Sequence, residues 1–417
     1  MRTIELKRVV VTGMGVVTPL GHELSEYWQN LIQGKSGVDT ITKFDPADYT
    51  TKIAGEVKDF SAEDYMEKKE ARRMDLFTQY AIAAAEKAVQ HAKLNFDAVQ
   101  KDRAGVIVSS GIGGMETFQN QTRTLIEKGP RRISPFFIPM LITDIAPGHI
   151  SIRYGLRGPN FSTVSACASS SHAIGEAFRN IQRGDADVMI TGGAEATVTP
   201  LGIAGFNAMK ALSTRNEEPQ KASRPFDKDR DGFVMGEGSG IIVIENLEHA
   251  LNRGAHIYSE IAGVGYTADA YHITAPVPDG AGAKSAMRRA LKDAELSPAD
   301  IDYINTHGTS TLYGDVAEVN AIKQVFGEAA YKLNINSTKS MIGHLLGASG
   351  GVEFVTTTLT MNYGMVHPTI NQVNPDPEID LDTTANNPKQ REVRAAMSNS
   401  FGFGGHNVSI AIKKFEE

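Results

Sequence analysis

The chain has 417 residues, 41% of them hydrophobic and 22% charged, with a formal net charge of −7. That is an ordinary globular composition, with apolar material for a large core and length for about two or three domains or one duplicated unit. The acidic balance argues against general nucleic-acid binding, and no apolar run approaches the roughly 20 residues a membrane helix needs.

The first element is Arg8-Val9-Val10-Val11-Thr12-Gly13, an apolar β-branched run read as a buried strand ending in glycine. Nothing before it has a signal-peptide layout, so a cytoplasmic setting is expected, and a single cysteine suits a reducing compartment. Short β-branched runs then alternate with longer helical patterns, the mark of α/β layering. Strands are expected at Val9–Thr12, Gly105–Val108, Val188–Thr191, Ile241–Glu245, Ile301–Asn305, Leu333–Asn336 and Val408–Ile412. Helices are expected at Asp75–Ala92, Ala173–Gln182, Lys284–Ala294 and Val316–Phe326. Ser297-Pro298-Ala299-Asp300 is a turn signal before the Ile301 strand. No flexible linker interrupts the pattern, which predicts one compact body.

An internal repeat is faintly legible. Asn160-Phe161-Ser162-Thr163 leads to Cys167 and a helix containing Gly175-Glu176; Asn336-Ser337-Thr338-Lys339 leads to His344 and a helix containing Gly351-Val352-Glu353. Each half then runs from glycines into an apolar strand, Gly236–Glu245 and Gly402–Ile412. If the repeat is real, a two-fold axis brings Cys167 of one half near His344 of the other.

Cys167, the only cysteine, stands where an apolar strand-like stretch gives way to a helical pattern of Ala173, Ile174, Ala177, Phe178 and Ile181. One cysteine makes no intramolecular disulfide and no multi-thiolate metal site, leaving a nucleophile or a small buried hydrophobe; residue type alone favours the second. At a helix start, unpaired N–H groups are expected to stabilise thiolate and lower its pKa. Three later runs shift the balance: Asn305-Thr306-His307-Gly308-Thr309-Ser310-Thr311, Ser337-Thr338-Lys339-Ser340-Met341-Ile342-Gly343-His344 and Asn399-Ser400-Phe401-Gly402-Phe403-Gly404-Gly405-His406-Asn407. His307 and His344 follow strand ends, where open α/β sheets place their sites. The glycines around Phe403 are turn chemistry, and would also let backbone N–H groups reach a substrate oxyanion.

With those motifs in order, the whole chain resembles the elongating β-ketoacyl-[acyl-carrier-protein] synthases, and is most similar to the bacterial type II enzymes. The resemblance implies a thiolase-type α/β fold: two similar halves, residues 1–255 with the nucleophilic cysteine and 256–417 with the histidines, stacked as α-β-α-β-α layers in a homodimer. It implies a decarboxylative Claisen condensation between an acyl-enzyme and malonyl-acyl-carrier protein, requiring no metal or redox cofactor. Cys167, His307 and His344 then form the reacting set. Lys339 and Glu353 support His344, Phe403 gates the acyl pocket, and the N–H groups of Cys167 and Phe403 hold the oxyanion. Ile112 and Phe401 line the acyl side, and Thr309 and Thr311 hold the pantetheine arm. Lys69, Arg72 and Arg73, in the densest basic run, dock acyl carrier protein, with Lys210 a weaker member; a charge run of this kind is otherwise a solvated helix face. Two departures are His406, where many relatives have threonine, and Leu312-Tyr313, where proline is common.

Rival activities fit less well. A degradative thiolase needs a second cysteine, a cysteine hydrolase leaves two histidines and the Lys339 run unexplained, and a non-catalytic chain-length subunit should lack Cys167. A ketosynthase of a type II polyketide or aryl-polyene pathway shares the same active-site residues and is the alternative.

Overall fold

A computed structural model describes residues 5–416. Its centre is a ten-stranded sheet. The strands are β1 (Val9–Val17), β2 (Ala104–Ser109), β3 (Asn160–Phe161), β4 (Val188–Glu195), β5 (Gly238–Asn246), β6 (Ser259–Ala268), β7 (Tyr303–Asn305), β8 (Asn334–Asn336), β9 (Ala395–Gly402) and β10 (His406–Lys413). They lie in the order β8-β7-β9-β10-β6-β1-β5-β4-β2-β3. Read outward from the centre, β1-β5-β4-β2-β3 is repeated as β6-β10-β9-β7-β8. In each set the outer pairs run parallel and the inner ones antiparallel. Among the described residues, strands of the two sets pair only where Val9, Val10 and Val11 meet Ile261, Glu260 and Ser259.

Helices fill the layers. α1 (Leu76–His91) packs on β1, β5 and β4, and α2 (Ile145–Tyr154) on β2. α3 (Ser169–Gln182) and α6 (Ser349–Tyr363) each touch strands of both sets. Their burial follows: α6 is buried from Ser349 to Met361. α4 (Ala281–Asp293) covers β6 and β10, and α5 (Gly314–Phe326) packs on α4. The result is the α-β-α-β-α stack, with α3 and α6 as its middle layer. A helix buried all round must be small and apolar or internally paired, and the serines and threonines of α6 oblige: the hydroxyls of Thr356, Thr357 and Thr358 each donate to the carbonyl four residues back.

Two details differ from expectation. β1 does not stop at Gly13; it passes a bulge between Val11 and Gly13 and continues to Val17. The stretch before Cys167 is no apolar strand: β3 holds two residues, both exposed at the sheet edge, and Val164 is 58% exposed. The turn expected at Ser297 is present, and it carries a capping box in which Ser297 and Asp300 bond reciprocally.

The duplication is tightest beneath α3 and α6. A short 3-10 turn, Ala166–Ala168, opens α3, and Leu346–Ala348 opens α6. Ala166 and Leu346 both take left-handed conformations, with φ of +50° and +46°. Such strain costs on the order of 1 kcal/mol or more for a residue with a Cβ, and it lifts the following residue out of the chain path. In the first half that residue is Cys167, in the second Gly347.

Candidate active site

Cys167 and the two histidines converge, Cys167 meeting His344 as the repeat predicts. Cys167 Sγ lies 3.0 Å from His344 Nε2, and the ring of His307 stands edge-on to that of His344 at 5.4 Å. The ligand-capable atoms of the three residues lie within 4.8 Å of one another. One thiol and two imidazoles are donors a soft metal ion would accept, at the expense of the nucleophile. They close the floor of a cleft of about 660 Å³ that Ile112, Phe401, Phe403, Thr309, Thr311 and Lys210 also line.

Each side chain is set by its element. His307 follows β7 by two residues; its N–H and that of Gly308 donate to Glu318 on α5, at 2.9 Å each. His344 follows the short helix Lys339–Ile342, and its backbone pairs with Val234 and Gly236. Its Nδ1 lies 2.9 Å from the Ser349 hydroxyl at the start of α6. A hydroxyl both donates and accepts, so Ser349 serves either tautomer of His344. Lys339 and Glu353 form an ion pair below the histidines, each side chain 1% exposed. The backbone N–H groups of Cys167 and Phe403 donate toward the sulfur.

The electrostatics correct one expectation. Burial pushes the Cys167 thiol from an ordinary 9.0 up to about 11; Lys339 and the two N–H groups pull the other way without prevailing. Helix-start donors therefore moderate a desolvation cost instead of producing a resting thiolate. Burial, with the Lys339 ammonium beside them, also holds both imidazoles well below 6.5. Both directions favour a thiol beside a neutral imidazole at rest near neutral pH, with Sγ and Nε2 3.0 Å apart.

The residues expected from the sequence to dock a carrier protein are not part of this cluster. Lys69, Arg72 and Arg73 lie exposed on and after the four-residue helix Lys68–Ala71. Arg73 covers the ring of Phe136 at 4.7 Å, and Lys68 is paired with Glu63. Lys210 is exposed and does reach the cleft. His406, opposite Gly402 in the last hairpin, is exposed too.

Several residues of the site were not singled out from the sequence. Glu318 is fully buried against the cleft, its carboxyl raised to about 7 by burial. Its signal was an acid within the otherwise apolar positions Ala317, Val319 and Ile322 of a helical pattern. Glu195, at the end of β4, accepts from the N–H groups of Gly111, Ile112 and Gly347 and so ties the Ile112 loop to the turn before Ser349. Ser349 carried no signal beyond its place five residues after His344.

Residues 6–250 match the family described as beta-ketoacyl synthase, N-terminal domain, and residues 258–373 its C-terminal domain. The chain belongs to the β-ketoacyl synthase family. It is 56% identical over 410 residues to the 3-oxoacyl-[acyl-carrier-protein] synthase 2 of Staphylococcus aureus, covering 98% of this chain and 99% of that one. To the protein of the same name from Synechocystis it is 53% identical, with both chains covered fully. Among solved structures, a beta-ketoacyl synthase from Burkholderia phymatum superposes with a TM-score of 0.92 at 37% identity, covering 98% of this chain and all of that one. A type II polyketide ketosynthase, solved with its acyl-carrier protein and a bound hexaketide, gives 0.92 at 36% identity over 99% of this chain and all of that one. The thiolase-type fold and the acyltransferase class of this synthase follow.

Proposed function

We propose that this synthase elongates fatty-acyl chains on acyl carrier protein, with Cys167, His307 and His344 as the reacting set. The observation that carries the reading is the convergence of one thiol and two neutral imidazoles at the floor of an apolar cleft. In the first half-reaction Cys167 Sγ attacks the acyl thioester carbonyl as its proton passes to His344 Nε2. The oxyanion is held by the N–H groups of Cys167 and Phe403, each donor worth about 3–4 kcal/mol in comparable sites. Collapse breaks the carrier's C–S bond, and the departing thiolate takes the proton back. In the second, malonyl-carrier protein loses carbon dioxide, and the electron pair of the broken C–C bond forms an enolate whose oxygen accepts from His307 and His344. The enolate carbon attacks the acyl-enzyme carbonyl, and Cys167 leaves as thiolate and takes up a proton from solvent to restore the resting thiol. Neutral imidazoles suit this step, because each donates one N–H without a resident charge to desolvate.

Lys339 and Glu353 act as the positioning pair for His344, Ile112 and Phe401 line the acyl pocket, and Phe403 gates it between flanking glycines. Thr309 and Thr311 hold the pantetheine arm. Lys69, Arg72, Arg73 and Lys210 dock the acidic carrier; the first three have no acidic partner among the described residues. Residues 1–255 and 256–417 are the two thiolase-like halves. A homodimer is supported by the β3 edge, which leaves one side unpaired beside exposed Phe161 and Val164. No helix among the described residues is long and apolar enough to cross a membrane. A cytoplasmic setting would keep Cys167 reduced.

The test is mass-spectrometric detection of acyl groups on Cys167 after incubation with carrier proteins bearing chains of different length. Saturated acyl transfer from a housekeeping carrier supports fatty-acid elongation. Acylation only from a dedicated carrier, dependent on a companion subunit, would instead support the polyketide or aryl-polyene reading, to which the polyketide ketosynthase likeness lends weight.

A further inference from the structure

The segment that carries Thr309 and Thr311, between β7 and α5, is buried as far as Ser310 and then turns out to solvent. Leu312 and Tyr313 are 54% and 80% exposed, and neither restricts φ as proline does. Ser310 sits at φ +68°, a strained conformation for a residue with a Cβ. Yet the Thr309 and Thr311 hydroxyls are held 3.0 Å apart and face the cleft.

What fixes them is polar and lies behind the segment. Asp315, fully buried, accepts from the N–H of Ser310 at 3.1 Å and of Thr311 at 3.4 Å. Arg230, its side chain 3% exposed, takes the carbonyls: Nε donates to Thr311 O at 2.9 Å and Nη2 to Leu312 O at 2.8 Å. Its Nη1 is anchored on Asp227 O at 2.7 Å and Asp376 Oδ2 at 2.6 Å. Asp315 and Arg230 also face each other at 3.8 Å, so the amides of Ser310 and Thr311 and the carbonyls of Thr311 and Leu312 are held by one buried ion pair, while Ser310 O and Oγ accept from the N–H groups of Gly232 and Arg224.

We propose that Arg230 is a positioning residue for the carrier's phosphopantetheine arm, its guanidinium fork aiming the Thr309–Thr311 hydroxyls into the cleft. The inference rests on the reading that Thr309 and Thr311 bind that arm. A fork is required because two successive carbonyls and a carboxylate must be bonded in one plane. Lysine offers a point charge, which satisfies Asp376 or the carbonyls and not both. A buried arginine with three aspartates nearby otherwise reads as a fold-stabilising ion cluster, and the two roles separate kinetically.

The experiment measures acylation of Cys167 by an acyl-pantetheine and by the matching acyl ethanethiol ester, which lacks the arm. In Arg230→Lys, which keeps the charge among the aspartates, the ratio of KM for the pantetheine ester to KM for the ethyl ester rises about tenfold, with kcat for the pantetheine ester within about twofold. Asp376→Asn, at a half-buried site, moves the ratio the same way by about two- to threefold and serves if Arg230→Lys does not fold. Thr311→Val separates the two layers of reasoning. If it raises the ratio while folded Arg230→Lys and Asp376→Asn do not, the Arg230 inference fails and the arm-binding reading stands. If Thr311→Val leaves the ratio unchanged, the arm-binding reading itself fails.

Discussion

Lys339→Met is the most informative single change, because one buried ammonium biases Cys167, His307, His344, Glu318 and Glu353 together. Methionine keeps the length and flexibility and removes the charge. Glu353 then loses its only cationic partner among the described residues, in a place where its side chain is 1% exposed and its second oxygen has no hydrogen-bond partner among them. Breaking a buried pair from one side typically costs about 3–5 kcal/mol. The pH dependence gives the sign. Burial raises the folded carboxyl of Glu353 above its ordinary 4.5, and Lys339 pulls it back down. A carboxyl raised in the folded state contributes fully below its unfolded pKa, and that contribution is lost as pH climbs toward the folded pKa, at up to about 1.4 kcal/mol per unit. Removing Lys339 moves the upper end of that window upward, so the variant's deficit against the parent protein widens with pH through the neutral range. Urea midpoints at pH 6, 7 and 8, at fixed protein concentration, measure it. Lys339→Met/Glu353→Gln should remove the widening and recover much of the loss. Parallel curves for the single variant and parent, or a double variant as weak as the single, would refute a charged buried pair. Activity supplies a second reading: His307 and His344 lose the cation that depresses them. Protonated imidazoles then persist to higher pH, and the acid limb of malonyl decarboxylation moves upward.

Other substitutions test single roles. Cys167→Gln should abolish condensation and keep or raise malonyl decarboxylation, its amide standing in for an acyl-enzyme; radiolabelled carbon dioxide release measures it, and retained condensation would remove the thiol from the mechanism. His307→Ala should slow decarboxylation by about 100-fold or more while slowing Cys167 acylation far less, and the opposite order would reassign it. Ile112→Phe should shift preference toward shorter acyl chains, each excluded methylene forfeiting about 0.8 kcal/mol of burial, so two excluded methylenes change relative kcat/KM by about tenfold. Lys69→Glu with Arg72→Glu should raise KM for carrier-bound substrate at low salt and converge with the parent as salt rises, because exposed charges are screened within about 8–10 Å. An equal loss with a carrier-free thioester would falsify docking there.

The parts legible in the sequence were those written in local pattern. β1, β2, β4, β5 and β10 are β-branched runs, and α1, α3, α4 and α5 keep helical spacing. β6 and β9 went unread because their residues are small: a Cβ at Gly263 would meet Ala294 N at 2.4 Å and one at Gly265 would meet Ala286 O at 2.0 Å. Close approach of α4 selects glycine over the residues that advertise a strand. Cys167, His307 and His344 were legible because each stands alone in a run of small residues. Glu318, Asp315 and Arg230 were not, since a charged residue in one dimension reads as solvated and only packing shows it buried and bonded.

The thiol shows most clearly what position along the chain omits. A cysteine at a helix start looks activated, and the N–H groups of Cys167 and Phe403 are indeed in place. Yet the same site must exclude water around an acyl-enzyme and an enolate, and that burial raises the thiol to about 11 while lowering both histidines. A resting thiolate and two neutral donors are therefore competing demands on one dry pocket. The geometry resolves the competition in time: His344 accepts a proton over 3.0 Å when attack begins, and Ser349 lets the same imidazole present an N–H to the later enolate. If that order is right, iodoacetamide should alkylate Cys167 at a rate that keeps rising with pH well past 9, where an activated cysteine would already have reached its plateau. A plateau near pH 7 would mean that the site stores the thiolate at rest, and that His344 enters the reaction only as an enolate donor.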